Sequence, residues 1–341
     1  MDYLLSIVIP TYNRSFSLDK LLASIYYSRL NKDDYEVIVS DDSDNENEIK
    51  ENIMLADHYI SRGLMNIKYI KNKYTRVGPA ANRQNGLDES QGRWITFVDD
   101  DDIIIYGNMN YIMGKLEYYK DTQISCIITE PRMVDMNNNE LVFSNEDDFK
   151  KILTHGKIYN KNFLNLKNIS YDITAPAHED IYFNYQILCG TYTDSSWNYI
   201  CLGNTPFYKF YNNPDSLSHS FEFYDNYITR NPKWFLNKFD KPFDYLEIII
   251  DDKELINTIY DLIKNELFYA VIIYIMMGKW GKATNENQKM YKDFFDRWRS
   301  VLKGKIEQKE IIKEATRVMQ DNGLMNISDI VRYFSIIDNC C

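Results

Sequence analysis

Arg93-Trp94-Ile95-Thr96-Phe97-Val98-Asp99-Asp100-Asp101-Asp102 decides how the rest of the chain is read. Residues 94–98 are aromatic, β-branched and uncharged, the composition of a buried strand. Four consecutive carboxylates follow. Two unit charges about 4 Å apart repel by roughly 4 kcal/mol at an effective dielectric of about 20. Four of them at a strand end need either full solvation, as in an acidic turn, or a cation. The second alternative fits the rule that open α/β sheets place ligands at the carboxyl ends of their strands.

The segments upstream supply the sheet. Residues 4–10 (Leu-Leu-Ser-Ile-Val-Ile-Pro) read as a buried first strand ended by proline, followed by the loop Thr11-Tyr12-Asn13-Arg14. Ser17 is a candidate cap for a helix to about Ser28, with Leu18, Leu21, Leu22, Ile25 and Tyr26 on one face. Residues 35–40 form a second strand, with the polar loop Asp41-Asp42-Ser43-Asp44-Asn45 at its end. A helix over 49–59, a strand over 66–70 and a helix over 79–89 opened by Gly78-Pro79 complete the run. Strand and helix thus alternate up to the acidic stretch, the pattern of a parallel sheet covered on both faces. The loops after the first, second and fourth strands carry polar or acidic residues, and topology puts all three on the same sheet edge.

Composition narrows the function. The chain has 341 residues and a formal net charge of −11. Residues 1–225 carry 21 Lys/Arg against 33 Asp/Glu, and residues 226–341 carry 18 against 17. The acidic first part argues against binding nucleic acid through its phosphates, but not against a nucleotide whose phosphates a metal bridges. The 5 cysteines include no C-x-x-C pair, so neither a disulfide framework nor a zinc site is indicated, and a reducing cytoplasm fits. No secretory signal is expected at the start. The apolar run 267–277 is too short to span a bilayer.

From 103 to about 220 the pattern is mixed. A helix is expected over 108–119, strands over 125–129 and 140–144, and a helix over 181–188 behind His178-Glu179-Asp180. From 243 onward helices are expected over 243–250, 253–277, 288–302, 307–320 and 328–337. The division falls near residue 225.

Four blocks in order carry a family resemblance: Ser6 through Arg14, Val39 through Asp44, Gly78 through Leu87, and Phe97 through Asp102; Glu179-Asp180 is a fifth, weaker block. Together they resemble the family 2 inverting glycosyltransferases of bacterial surface-polysaccharide synthesis, over roughly residues 4–220. The resemblance implies a GT-A fold: a nucleotide-sugar-binding, Rossmann-like mixed sheet flanked by helices. Residues 1–225 would form the catalytic domain, with a nucleotide-binding half over 1–102 and an acceptor-binding half over 103–225; 226–341 would be a helical C-terminal region.

The resemblance also implies roles. Pro10, Thr11, Tyr12 and Arg14 would surround the base of a nucleotide sugar, and Asp42 would accept the uracil imide N–H, with Asp41 as its neighbour. Arg83 would approach the diphosphate, for which its fork is suited; Gln84 departs from the Asn usual in the family. Asp99-x-Asp101 matches the metal motif. Asp101 would bind Mn²⁺ or Mg²⁺ directly and Asp99 or Asp100 would contact ribose or the cation through water, leaving Asp102 facing the following loop. Asp180 would be the general base; the alternative, that Glu179-Asp180 caps the helix beginning at Ile181, is compatible with it. His219 is a candidate ligand to metal or diphosphate, and His178 to acceptor or phosphate. Trp197, Tyr199 and Tyr211 are candidates for stacking on sugars. The expected activity is transfer of a sugar, from a UDP-sugar, to a hydroxyl of a glycan or lipid-linked glycan, in the cytoplasm or at the inner membrane face. A non-catalytic glycan-binding subunit is the alternative; a nucleotidyltransferase would want a glycine-rich loop after the first strand, which this chain lacks. Phe294, Phe295, Trp298, Val301 and Leu302 share one helical face in a basic segment. That face would meet an anionic membrane, or else be an ordinary packed helix or an interface with a second copy.

Overall fold

The computed structural model describes residues 3–74, 78–141, 153–175, 178–203, 205–212, 232–249, 251–279, 281, 283–306, 313 and 316–317. It divides into two compact units, Met1–Pro214 and Asp215–Cys341; the expected division near 225 lies outside the described residues.

The first unit runs β1 (Leu5–Thr11), α1 (Ser15–Tyr27), β2 (Tyr35–Asp41), α2 (Glu46–Ser61), β3 (Ile67–Lys71), α3 (Pro79–Glu89) and β4 (Trp94–Phe97). It continues with β5 (Ile103–Ile104), α4 (Asn108–Tyr119), β6 (Ile124–Ile128), β7 (Arg132–Val134), β8 (Lys157–Asn160), α5 (Lys161–Leu166), α6 (Glu179–Tyr192), β9 (Asn198–Cys201) and β10 (Tyr208–Tyr211). The main sheet has seven strands in the order β3-β2-β1-β4-β8-β6-β9, and a second sheet pairs β5-β10-β7.

The first four strands are parallel, as expected, because a crossover helix joins each to the next. Residues of β1 are buried throughout. Leu5, Ile7 and Ile9 enter one core with Leu18, Leu22 and Ile25 of α1. Val8 enters the other, with Ala80 and Leu87 of α3. Alternation along a doubly covered strand thus builds two cores, one per face. α1 begins at Ser15 rather than Ser17, and no side chain of its own caps it. Instead Glu48 accepts from the Ser15 amide at 2.7 Å and Glu51 from its hydroxyl at 2.6 Å. Carboxylates of α2 therefore satisfy the helix start.

The sheet is mixed because of β8, which inserts between β4 and β6 antiparallel to both. No strand was expected at Lys157-Ile158-Tyr159-Asn160; four residues are too few for a period to register. Gly156 before it has φ +72, and a Cβ there would lie 2.7 Å from the Thr129 carbonyl oxygen. Of the strand expected over 140–144, only Glu140 and Leu141 are described, and Glu140 makes a single bridge to Val134.

The second unit has helices α7 (Lys233–Asn237), α8 (Asp240–Ile248), α9 (Lys253–Lys279) and α10 (Asn285–Leu302). The aromatic face of α10 is not presented outward. Phe294, Phe295, Trp298, Val301 and Leu302 are all buried. Phe294 packs on Phe239 and Phe243, and Trp298 on Phe268. The membrane-facing reading of this face gives way to an ordinary packed helix, because its apolar area is already spent inside the unit. Arg297, on the same helix, pairs with Asp240, Asp244 and Glu247. Most of the helix expected over 307–320, and all of that over 328–337, lie outside the described residues. Among the described residues no helix is long and apolar enough to cross a membrane.

A Cβ placed on Gly86 would fall 2.3 Å from Cγ1 of buried Val8, so α3 rests directly on β1. Gly86→Ala should therefore destabilise the protein by about 1–3 kcal/mol through overpacking. Denaturant unfolding followed by tryptophan fluorescence checks this; an unchanged midpoint would contradict the contact.

Candidate functional site

The site forms where β1 and β4 part. Their pairing ends at Val8↔Phe97, two residues before Pro10. Beyond it the β1 loop follows β2 instead, with the Asp42 amide donating to the Thr11 carbonyl at 3.0 Å. Strands on either side of this point lead in opposite directions across the sheet, which opens a crevice at the carboxyl ends.

The four carboxylates that end β4 do not share one environment. Asp99 accepts from Arg83 Nη2 at 2.6 Å, and its other oxygen lies 3.5 Å from His155 Nε2. Asp100 accepts from the Thr11 hydroxyl at 2.7 Å and from Arg14 Nη1 at 3.2 Å. Asp101 accepts from the same Arg14 nitrogen at 2.8 Å. Asp102 accepts from the Tyr208 hydroxyl at 2.6 Å and the Tyr211 amide at 2.9 Å. Asp102 is therefore buried against β10 rather than turned to the following loop. Tyr208 also accepts from the Asp99 amide at 3.1 Å, so one phenol ties both ends of the run together.

Ionisation follows those partners. Burial would raise Asp99, but Arg83 and His155 outweigh it and hold the carboxyl below its ordinary range. Burial, only partly offset by Arg14, pushes Asp100 up to about 7. Burial and then repulsion from Asp99 raise Asp101, against the pull of Arg14. Burial, with Asp99 and Asp101, raises Asp102 well above the carboxylate range. The run thus carries more potential negative charge than its neighbours neutralise.

The other expected residues gather around it. Pro10 and Thr11 are buried at the end of β1, while Tyr12 donates its hydroxyl to Asp44 at 3.0 Å. Asp42 is half-buried at the end of β2 and accepts from Asn72 at 3.2 Å. Asp41 is turned inward, accepting from the Ser43 amide, Asn52 and Tyr69 at 2.7, 2.9 and 2.7 Å, so it shapes the loop. Arg14 lies against the acidic run, with Nη1 on Asp100 and Asp101. Arg83 is buried, with Nη1 on Glu179 at 2.5 Å and Nη2 on Asp99 at 2.6 Å. Both terminal nitrogens are committed to carboxylates. Asn82, the preceding residue, fixes α3 by accepting from Ser40 at 2.5 Å and donating to the Thr11 carbonyl at 3.1 Å. Gln84 accepts from the Tyr171 amide at 2.9 Å.

Glu179 and Asp180 form the first turn of α6, after His178 in the left-handed conformation with φ +58. Burial lifts Glu179 to about 7 against the pull of Arg83. Burial also raises Asp180, against Arg83, His155 and Lys157, and its carboxylate accepts from the Ile181 amide at 2.8 Å. His219 lies outside the described residues. Trp197 packs on Phe163 in the core, with centroids 4.9 Å apart.

Sequence reasoning missed His155 and Tyr208. Among the described residues, Asp99, Asp102 and His155 form a group whose ligand atoms lie within 4.8 Å of one another. His155 is held edge-on by Tyr208 and Phe210, with centroids 5.3 and 4.5 Å away. Neither residue sits in a motif; both arrive through strands β8 and β10, whose register only the fold reveals. Carboxylate oxygens beside an imidazole, with surplus negative charge, are a donor set that fits a hard divalent cation.

Residues 6–173 match the family model described as Glycosyl transferase family 2, so this part of the chain is a domain of that family. It is 37% identical over 129 residues to a Campylobacter jejuni protein, GalNAc(5)-diNAcBac-PP-undecaprenol beta-1,3-glucosyltransferase, covering 36% of this chain and 38% of that one. It is 29% identical over 160 residues to the Escherichia coli UDP-Glc:alpha-D-GlcNAc-diphosphoundecaprenol beta-1,3-glucosyltransferase WfgD, covering 47% and 55%. The matches thus span only about two fifths to a half of those relatives. The crystal structure of Staphylococcus aureus TarS 1-349 in complex with UDP-GlcNAc superposes with a TM-score of 0.68 at 17% identity, covering 98% of this chain and 90% of that one. The fold is GT-A, with a central mixed sheet flanked by helices.

Lys157 is buried at the head of β8, and burial pushes it from 10.5 down to about 8, against Cys126 and Asp180. Between those values the unfolded chain binds more protons than the folded one, so Lys157 makes stability rise with pH across that window. Relative to Lys157→Met, wild type should gain up to about 3 kcal/mol between pH 8 and 10.5. Unfolding curves for both proteins at a series of pH values check this; parallel profiles would contradict it.

Proposed function

We propose that this chain is a metal-dependent inverting glycosyltransferase. It moves a sugar from a UDP-sugar to a hydroxyl of a surface polysaccharide or its lipid-linked precursor. The carrying observation is the meeting of the β1 loop, Asp42, Arg83 and the acidic run at one sheet edge of a family 2 domain. The TarS complex with UDP-GlcNAc supports a UDP-sugar donor. The undecaprenol diphosphates in the names of two relatives support a lipid-linked acceptor met at the inner membrane face.

The residues take these roles. Pro10, Thr11, Tyr12 and Asp42 line the nucleoside subsite, with the Asp42 carboxylate at the edge of the base. Asp101 and Asp99 would hold Mn²⁺ or Mg²⁺, with Asp102 and His155 close to Asp99 and His219 a further candidate from the sequence. The ion, when bound, stabilises the charge that gathers on the departing diphosphate. Asp100, kept in place by Thr11, faces the ribose side of the run. Arg83 fixes Asp99 and, through Glu179, the start of α6. That helix start presents Asp180, whose raised affinity for protons suits a base that takes the acceptor hydroxyl's proton as the oxygen attacks the anomeric carbon. Attack comes from the face opposite the diphosphate, so the configuration inverts.

Asp101→Ala should lose cation-dependent UDP binding in calorimetry while keeping its circular dichroism spectrum; binding equal to wild type would refute the metal assignment. Asp180→Asn should bind UDP normally yet release it from a UDP-sugar about 10²–10⁴-fold more slowly in the presence of acceptor. Transfer at the wild-type rate would send the search for the base elsewhere.

A further inference from the structure

We infer that Arg14 is a displaceable counter-ion, which occupies Asp101 when no cation is bound and passes to the donor's diphosphate when one enters. The inference rests on the cation assignment made above. Arg14 Nη1 sits 2.8 Å from Asp101 Oδ2 and 3.2 Å from Asp100 Oδ1. A cation taking Asp101 must compete for the oxygen that Arg14 holds.

The two arginines of the site differ in a way that assigns this role to Arg14. The Arg83 side chain is 7% exposed and pinned between Asp99 and Glu179, so it cannot leave without stranding the buried Glu179 carboxylate. Buried Asp100 keeps the Thr11 hydroxyl at 2.7 Å if Arg14 leaves, while the Arg14 side chain is 43% exposed and Asp101 31%. Such a pair is weak and exchanges readily. Arg14 also stands at the start of α1, where its backbone is fixed by Ser17 and Leu18 amides donating to its carbonyl at 3.0 Å. Only the side chain needs to move. A released guanidinium at the mouth of the crevice offers a planar fork suited to phosphate oxygens. Before the cation arrives, the same side chain limits repulsion along the run.

The test measures Mn²⁺ binding to the full chain by electron paramagnetic resonance, without nucleotide, in wild type, Arg14→Gln, Asp101→Ala and Lys73→Gln. Lys73 is a control cation of similar exposure that pairs with Asp88 instead, at 2.8 Å. Arg14→Gln should bind Mn²⁺ about two- to fivefold more tightly than wild type, the worth of one partly exposed ion pair. Lys73→Gln should match wild type. UDP titrated into the Mg²⁺-saturated Arg14→Gln protein should bind more weakly than to wild type. Equal Mn²⁺ affinity in wild type and Arg14→Gln, equal tightening in Lys73→Gln, or unchanged UDP affinity would each overturn the exchange. Wild type and Asp101→Ala binding Mn²⁺ alike would locate the failure in the cation assignment itself.

Discussion

Four adjacent carboxylates cannot be buried together, and the first unit is arranged around that constraint. Each goes to a different element: Asp99 to Arg83 of α3, Asp100 to Thr11 of β1, Asp101 to Arg14 at the start of α1, and Asp102 to β10. The strand end spreads its charge by recruiting partners from across the fold. Those partners are held in turn by buried hydrogen bonds that place the next residue. Asn82 fastens α3 to Ser40 and Thr11, so Arg83 must emerge beside Asp99. Buried hydrogen bonds linked in this way rigidify what they connect.

The same network joins the two chemical halves of the site. Arg83 touches both Asp99 and Glu179, so the acidic run and the helix that carries Asp180 are one ion pair apart on each side. Removing either carboxylate would leave a buried guanidinium short of charge, which costs far more than an exposed pair is worth. The position of Asp180 and the geometry of the acidic run are therefore set together.

The parallel half of the sheet was legible because strands covered on both faces carry apolar runs. β1 and β2 are buried at every position, and Ile7-Val8-Ile9 and Val37-Ile38-Val39 show it, although Ser6 and Glu36 are buried there as a hydrogen-bonded pair. The acidic run was legible because its repulsion demands an explanation. β8 was not, since a four-residue strand with Lys157 at its head has no detectable period; with it went His155, which matters only for where β8 brings it. Tyr208 was hidden for the same reason, on the short strand β10. Asp102 could not be assigned from sequence because its two partners are more than a hundred residues away. On α10 the spacing did reveal an apolar face, but not that Phe239, Phe243 and Phe268 cover it.

Donor recognition at the crevice between β1 and β4 is the central proposal. The direct measurement is calorimetric titration of the full chain with UDP-, GDP- and dTDP-sugars, each with and without Mn²⁺. A UDP-sugar that binds in a Mn²⁺-dependent way, with GDP-sugars failing, is the predicted result. Preference for a GDP-sugar, or binding indifferent to the cation, would contradict the roles given to Asp42 and to the acidic run.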